Sequence, residues 1–136
     1  MFSLLKLLLV SFFTIIIADY IWLGLIAKKF YVSQLISIGR INGDQFEPVF
    51  WAAGIVYLLL AVGIVFFALP KIDMQASYVT TFAIGALLGL VVYGVYDMTN
   101  YSTLKDYPIQ IAFADMAWGS VVCGLATMAA RFVRDM

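Results

Sequence analysis

Four long apolar runs, each bounded by charged residues or proline, divide the chain. They cover residues 7–27, 49–69, 78–98 and 109–130. A helix needs about 20 apolar residues to cross the hydrocarbon core of a bilayer, and each run has about that length. The first run is too long for the apolar part of a signal peptide, so we interpret it as an uncleaved span. The pattern predicts an all-α integral membrane bundle of four transmembrane helices, forming one domain over residues 1–136.

The loop after the first run has a different periodicity. Tyr31, Leu35 and Ile38 recur at helical spacing, with serines on the opposite face. A helix with this pattern lies in the headgroup region of a bilayer, and the Asn-Gly-Asp sequence at 42–44 predicts a turn after it. We therefore expect a short interfacial helix after the first span, with Tyr31 as an aromatic anchor.

Composition excludes several classes of protein. Hydrophobic residues make up 65% of the chain and charged residues only 12%, against about 25% charged residues in soluble domains. The net charge is zero with no long basic run, so no nucleic-acid partner is expected. There is one cysteine and no histidine, which excludes an intrachain disulfide, Ser-His-Asp catalysis and histidine-ligated metals. We predict no cofactor and no metal site; a metal would have to be a hard cation held by oxygen atoms.

The distribution of basic residues hardly distinguishes the two orientations in the membrane. An even number of spans puts both termini on one side, and four basic residues lie on each side. The side of the termini has Lys6, Lys71, Arg131 and Arg134, and the other side has Lys28, Lys29, Arg40 and Lys105. The α-amino group adds a positive charge on the side of the termini. Lys105 would not count as a free loop charge if it folds back into the protein as a counter-charge. Both points favour cytoplasmic termini, which we adopt as the prediction.

Three carboxylates fall within the spans or at their edges: Asp19, Asp97 and Asp115. An aspartate at the centre of a bilayer costs about 2.5–3.5 kcal/mol on insertion scales, so such residues normally face the bundle interior and have a partner. With a rise of 1.5 Å per residue, Asp19, Asp115 and Asp97 lie about 3, 7 and 13 Å from the middle of their spans. All three lie toward the first and third loops, so we expect them in one half of the bilayer.

Other polar residues occupy the same half. Tyr57 lies on the second span and Tyr93 on the third, and the exit of the third span contains Asn100 and Lys105. Asp97 follows Tyr93 at the helical spacing of four residues, and two glycines at 85 and 89 precede them on the same face. Small residues at this spacing allow close helix packing. The packing face of the third span should therefore also be its polar face.

A short motif is shared by the first and last spans. Asp19 is followed three residues later by Trp22, and Asp115 is followed three residues later by Trp118. Residues three apart lie on one helix face, so each helix presents a carboxylate beside an indole N–H donor. The candidate ligand-binding or proton-relay residues are Asp19, Trp22, Tyr57, Tyr93, Asp97, Asn100, Lys105, Asp115 and Trp118. The structural alternative is that the aspartates only pair helices and the tryptophans only pack.

Three segments resemble a known family. The segments Asp19–Gly24, Tyr93–Leu104 and Asp115–Gly119 are similar to the bacterial predicted-membrane-protein family called domain of unknown function 2177. The resemblance covers essentially the whole chain, and Tyr93–Leu104 is its most specific part. It implies four spans and a location in the bacterial inner membrane. It brings no established activity, cofactor or catalytic residue.

Three functions are compatible with this pattern. The first is binding or transport of a small molecule or lipid in a polar pocket that opens toward the first and third loops. Membrane lipids would then be partners, and four spans would require a homo-oligomer for transport. The second is an intramembrane lipid-modifying enzyme, in which two carboxylates divide the acid and base roles. The third is a non-catalytic accessory subunit of a membrane complex, whose polar groups serve helix pairing alone.

Overall fold

The computed structural model describes residues 2–136, and four of its helices are long and apolar enough to cross a membrane. These spans are Ser3–Ile26, Phe50–Lys71, Tyr78–Thr103 and Ile109–Asp135. The predicted all-α bundle of four membrane spans is confirmed. The third and fourth helices continue past the predicted ends at residues 98 and 130, to Thr103 and Asp135, because the end of an apolar run does not by itself end a helix.

The first span begins as helix α1 (Phe2–Ile21) and ends in a π-helical turn, Trp22–Ile26. Helix α2 (Lys28–Leu35) follows directly, and strands β1 (Ile41–Asn42) and β2 (Gln45–Phe46) form a small antiparallel hairpin. Gly43 at the tip of the hairpin has φ of 62°, a conformation that glycine adopts without steric cost. Helix α2 overlaps the short helix that the loop periodicity predicts, and the turn of the hairpin lies at the Asn-Gly-Asp sequence.

The second span consists of helix α3 (Phe50–Gly63), a π-helical turn (Ile64–Ala68) and a 3₁₀ turn (Leu69–Lys71). The third and fourth spans are the unbroken helices α4 (Tyr78–Thr103) and α5 (Ile109–Asp135). Ser77 precedes α4 and accepts a hydrogen bond on its hydroxyl from the backbone N–H of Thr80, at 3.0 Å. This N-cap satisfies one of the free backbone donors of the first helical turn.

Helices α4 and α5 form the closest pair in the bundle, and glycine makes their approach possible. A Cβ atom placed on Gly89 would collide with the backbone of Gly119, and one placed on Gly85 would collide with Thr127 and the backbone of Cys123. Gly85 and Gly89 are both buried. The face that carries the small residues is thus the face that packs, as the sequence pattern predicts.

The first and second spans pack against this pair and against each other. Helix α1 packs against α5 and α3, while the second span reaches α4 and α5 through its π-helical turn, Ile64–Ala68. We call the side with the ends of the chain the terminal side, and the side with the first and third loops the loop side. The second and third spans therefore meet near the terminal side and diverge toward the loop side.

A buried arginine joins α5 to α4 and to the loop before it on the terminal side. Arg131 on α5 donates from its guanidinium to Thr81 Oγ1, to the carbonyl oxygen of Ser77 at 3.2 Å and to that of Met74 at 3.1 Å. Its Cζ atom also lies 4.9 Å from the centre of the Tyr78 ring. These contacts connect the loop before α4 to the end of α5, and charged donors make them stronger than neutral hydrogen bonds.

Candidate functional site

The two Asp-x-x-Trp motifs meet between the first and fourth spans. The indole Nε1 of Trp118 donates to Asp19 Oδ1 at 2.6 Å, and Trp118 stacks on Trp22 with ring centres 4.8 Å apart and planes 8° from parallel. The indole Nε1 of Trp22 donates to the hydroxyl of Tyr31 at 3.3 Å, and this hydroxyl donates to Asp115 Oδ1 at 2.8 Å. The contacts form one continuous chain from Asp19 to Asp115.

The crossed pairing follows from the antiparallel direction of the two helices. Asp19 precedes Trp22 as α1 rises toward the loop side, and Asp115 precedes Trp118 as α5 descends from it. Each aspartate therefore lies level with the tryptophan of the other helix. The tryptophan of each helix is thus connected to the aspartate of the other, directly for Trp118 and Asp19 and through Tyr31 for Trp22 and Asp115.

Two tyrosines complete the surroundings of Asp19. Tyr57 from α3 lies beside the Asp19 carboxylate, close enough for its hydroxyl to interact with it. Tyr93 from α4 packs its ring against Gly119, where a Cβ atom would collide with that ring. Tyr93 also lies within electrostatic range of both Asp19 and Asp115. All four spans therefore contribute to what we call the carboxylate–aromatic cluster: Asp19, Trp22, Tyr31, Tyr57, Tyr93, Asp115 and Trp118.

Tyr31 is a member that the sequence analysis missed. We expected its ring to be an interfacial anchor, but the side chain is 4% exposed and its hydroxyl bonds to Asp115. Burial, followed by the negative charge of Asp115, raises the pKa of Tyr31 well above its usual range. The hydroxyl therefore stays protonated and serves as a donor. The buried face of α2 is visible in its periodicity, but which polar group it meets is not.

Asp97 occupies a separate buried position nearer the loop side. Its side chain is 0% exposed, and Oδ1 accepts a hydrogen bond of 2.6 Å from the hydroxyl of Tyr107. The other oxygen, Oδ2, is buried and has no hydrogen-bond partner within residues 2–136. Burial and the bond to Asp97 raise the pKa of Tyr107 above its usual range, which keeps its hydroxyl a donor. Tyr107 is the second residue that the sequence analysis missed.

The nine predicted site residues do not all come together. Asp19, Trp22, Tyr57, Tyr93, Asp115 and Trp118 form the cluster, and Asp97 lies within electrostatic range of Asp115. Asn100 is half-buried at the end of α4, whereas Lys105 is exposed and makes no ion pair with any residue of the described chain. The hydrogen-bond partner of Asp97 is Tyr107, and Lys105 forms no ion pair with this carboxylate.

The carboxylates of the site have neutral donors as their partners. Over residues 2–136, the ion pairs join Lys28 to Asp44 and two arginines to Asp135, all outside the cluster. The hydrogen bonds to Asp19, Asp97 and Asp115 come from indole and phenol groups instead. Across the same residues, no three cysteine or acidic side chains lie close enough together to hold a metal ion. The site is thus acidic, lined by aromatic rings and without an internal counter-charge.

The sequence was compared with known protein families, and one of them matches. The sequence profile of the family described as "Predicted membrane protein (DUF2177)" matches residues 4–132. The chain belongs to this family. No curated protein and no solved structure matches it. The matched range includes both Asp-x-x-Trp motifs and both tyrosine–aspartate pairs, so the candidate site lies within the DUF2177 region.

Tyr31→Phe should loosen the contact between α2 and the DUF2177 bundle. The change removes one oxygen atom and leaves Asp115 Oδ1 without a donor and Trp22 Nε1 without an acceptor, at a cost of about 1–3 kcal/mol. We expect faster hydrogen exchange over residues 28–35 and a lower free energy of unfolding. Tyr20→Phe is the matched control, because Tyr20 is 68% exposed. Equal exchange rates in both variants would show that the hydroxyl of Tyr31 does not hold α2 in place.

Proposed function

We propose that this membrane protein binds, and as an oligomer transports, a small molecule or lipid that carries a cationic group. The carboxylate–aromatic cluster is the binding site in this proposal. The observation that carries it is a set of three acids, the buried Asp19 and the half-buried Asp115 in the cluster and the buried Asp97 beside it, whose partners within the described chain are neutral donors. A positive charge on the ligand would supply the counter-charge that these acids lack.

The energetics favour a cationic ligand over a neutral one. An ionised carboxylate removed from water without a counter-charge is costly, and a single hydrogen bond from an indole or phenol offsets only part of that cost. The interaction between Asp115 and its two neighbouring acids adds repulsion. A ligand cation near Asp19 and Asp115 relieves both effects, whereas an anion would increase them.

The aromatic side chains suit the same ligand class. A cation over the face of a tryptophan or tyrosine is attracted by about 0.5–2 kcal/mol, more when water is excluded. Trp22, Trp118, Tyr57 and Tyr93 lie close to the acids, so a ligand bound at the carboxylates would be near these rings. Rings that stack on one another and donate to the acids also hold the carboxylates in place before a ligand arrives, which reduces the ordering cost of binding.

The helix arrangement supports access from the membrane. The second and third spans diverge toward the loop side, and Tyr57 and Tyr93 lie on these two spans next to Asp19. On the aqueous side, α2 covers the site through the Tyr31–Asp115 bond. A lipid-soluble cation could therefore enter between the second and third spans without displacing α2.

The proposal also includes an oligomeric state and a location in the cell. Four spans are few for a monomeric transporter, so the transporting form would be a homo-oligomer in contact with membrane lipids. We place the protein in the bacterial inner membrane with both termini in the cytoplasm. The family resemblance supports the membrane, and the four-span topology supports termini on one side.

The test is saturable binding of simple cations to the full chain in lipid nanodiscs. Trp51→Phe removes the exposed tryptophan and leaves Trp22 and Trp118 as the fluorophores. We expect choline and tetraphenylphosphonium to change the fluorescence saturably. The neutral isostere 3,3-dimethyl-1-butanol should not. Asp19→Asn in the same background should weaken cation binding about tenfold or more, equivalent to about 1.4 kcal/mol.

Asp106→Asn is the matched control, because Asp106 is exposed on the loop side. It should leave cation binding unchanged. Equal responses to choline and its neutral isostere would contradict the proposal, as would cation binding that survives Asp19→Asn. A folded protein that binds none of these probes would favour the accessory-subunit function, in which the cluster only pairs helices.

A further inference from the structure

A second feature lies on the terminal side, away from the carboxylate–aromatic cluster. It is a groove of about 280 Å³ between the start of the first span and the end of the second. Leu4 and Leu7 form one wall, Val65 and Phe66 form the other, and Arg134 lies at its head. The leucines and Phe66 belong to membrane-spanning helices, and Arg134 belongs to the last turn of α5. The groove thus runs from the interface into the apolar region.

Arg134 is held in a defined position at the head of this groove. Its Nη1 atom donates to the carbonyl oxygens of Leu69 at 3.1 Å and Ile72 at 3.2 Å, and its Nε atom donates to Asp135 at 3.0 Å. The remaining nitrogen, Nη2, is buried and has no acceptor among residues 2–136. A buried donor without an acceptor costs about 1–3 kcal/mol, more for a charged group.

The local charges leave a positive excess. Asp135 accepts from both Arg131 and Arg134, at 3.1 and 3.0 Å, so one carboxylate faces two guanidinium groups. One positive charge of this trio is therefore unbalanced. Basic groups at the end of transmembrane helices attract the anionic headgroups of lipids, and the planar guanidinium matches the geometry of a phosphate.

We propose that this groove binds an anionic phospholipid such as phosphatidylglycerol. The phosphate pairs with the guanidinium of Arg134, whose side chain is 23% exposed, and its negative charge balances the arginine pair. An acyl chain lies along the apolar walls of Leu4, Leu7, Val65 and Phe66. The site is independent of the proposed cation site, because it lies on the opposite side of the membrane and uses none of the same residues.

The experiment compares lipids added to the delipidated full chain in detergent. Phosphatidylglycerol should raise the thermal stability more than phosphatidylcholine, and native mass spectrometry should show one retained phosphatidylglycerol per chain. Arg134→Gln should abolish this preference. Lys71→Gln should keep it, because Lys71 is an exposed basic residue on the same side. Inorganic phosphate alone should not stabilise the protein.

A second pair of variants tests the groove without changing the arginine, whose bonds to two carbonyl oxygens also support the fold. Leu4→Trp adds bulk to the wall and should remove the preference for phosphatidylglycerol. Leu5→Trp adds the same bulk at a neighbouring position, 55% exposed and not among the lining residues of the groove, and should leave it intact.

Three results would overturn the proposal. They are equal stabilisation by the two lipids, stabilisation by inorganic phosphate as large as that by phosphatidylglycerol, and a preference that survives Leu4→Trp. The last result would mean that the lipid lies elsewhere even if Arg134 contributes to binding.

Discussion

Gly89→Ala should destabilise the bundle by about 3 kcal/mol, although alanine is the better helix former by about 1 kcal/mol. The added methyl group would overlap the carbonyl of Gly119 and the Cβ atom of Cys123. A backbone carbonyl cannot rotate away as a side chain can, so α4 and α5 would have to separate along their closest contact. Dispersion contacts along that line would be lost with the separation, and such contacts are one of the forces that hold helices together in a membrane.

Gly54→Ala is the matched control for this prediction. Gly54 also lies in a transmembrane helix, but a Cβ atom there would have no atom of the structure within 4 Å. The same substitution should be neutral or slightly stabilising at that position. Free energies of unfolding can be measured by reversible denaturation with sodium dodecyl sulfate in mixed micelles, followed by circular dichroism. Equal stability of the two variants would contradict the close packing of α4 against α5.

Trp118→Ala should have the second large effect, about 3–5 kcal/mol in the free energy of unfolding. Three contributions act together: a cavity, the loss of the stack on Trp22, worth about 0.5–1.5 kcal/mol, and the loss of the donor to Asp19. Trp118→Phe keeps an aromatic ring and removes the N–H group, so its cost should fall to about 1–3 kcal/mol. Trp51→Ala is the control, because Trp51 is 73% exposed.

A double-mutant cycle can isolate the hydrogen bond between Trp118 and Asp19. The cycle combines Trp118→Phe with Asp19→Asn and measures the unfolding free energy of each single variant and of the pair. Residues in direct contact show coupling energies of about 0.5–3 kcal/mol, and we expect a value in that range. Additive effects would mean that the 2.6 Å contact contributes no specific energy.

Several features of the structure could be predicted from the sequence alone. The four spans follow from run length and apolarity, because a bilayer requires each crossing helix to satisfy these conditions by itself. The packing face of α4 follows from Gly85, Gly89 and Asp97 at helical spacing. The burial of Asp19 and Asp97 follows from the cost of placing a carboxylate in lipid. Each of these features is local to one helix and its solvent.

The partners of the acids were decided by the tertiary structure. Asp19 and Trp118 are 99 residues apart, and Tyr31 and Asp115 are 84 apart, so their contacts depend on which helices are neighbours and at what register. In the sequence, Asn100 and Lys105 are the candidate site residues that follow Asp97, but the structure pairs Asp97 with Tyr107. Arg131 and Arg134 showed only as flanking charges in the sequence, yet they bind backbone carbonyls of the second loop and the end of the second span. Hydrogen-bond partners require positions correct to within an ångström, and only the packed bundle supplies them.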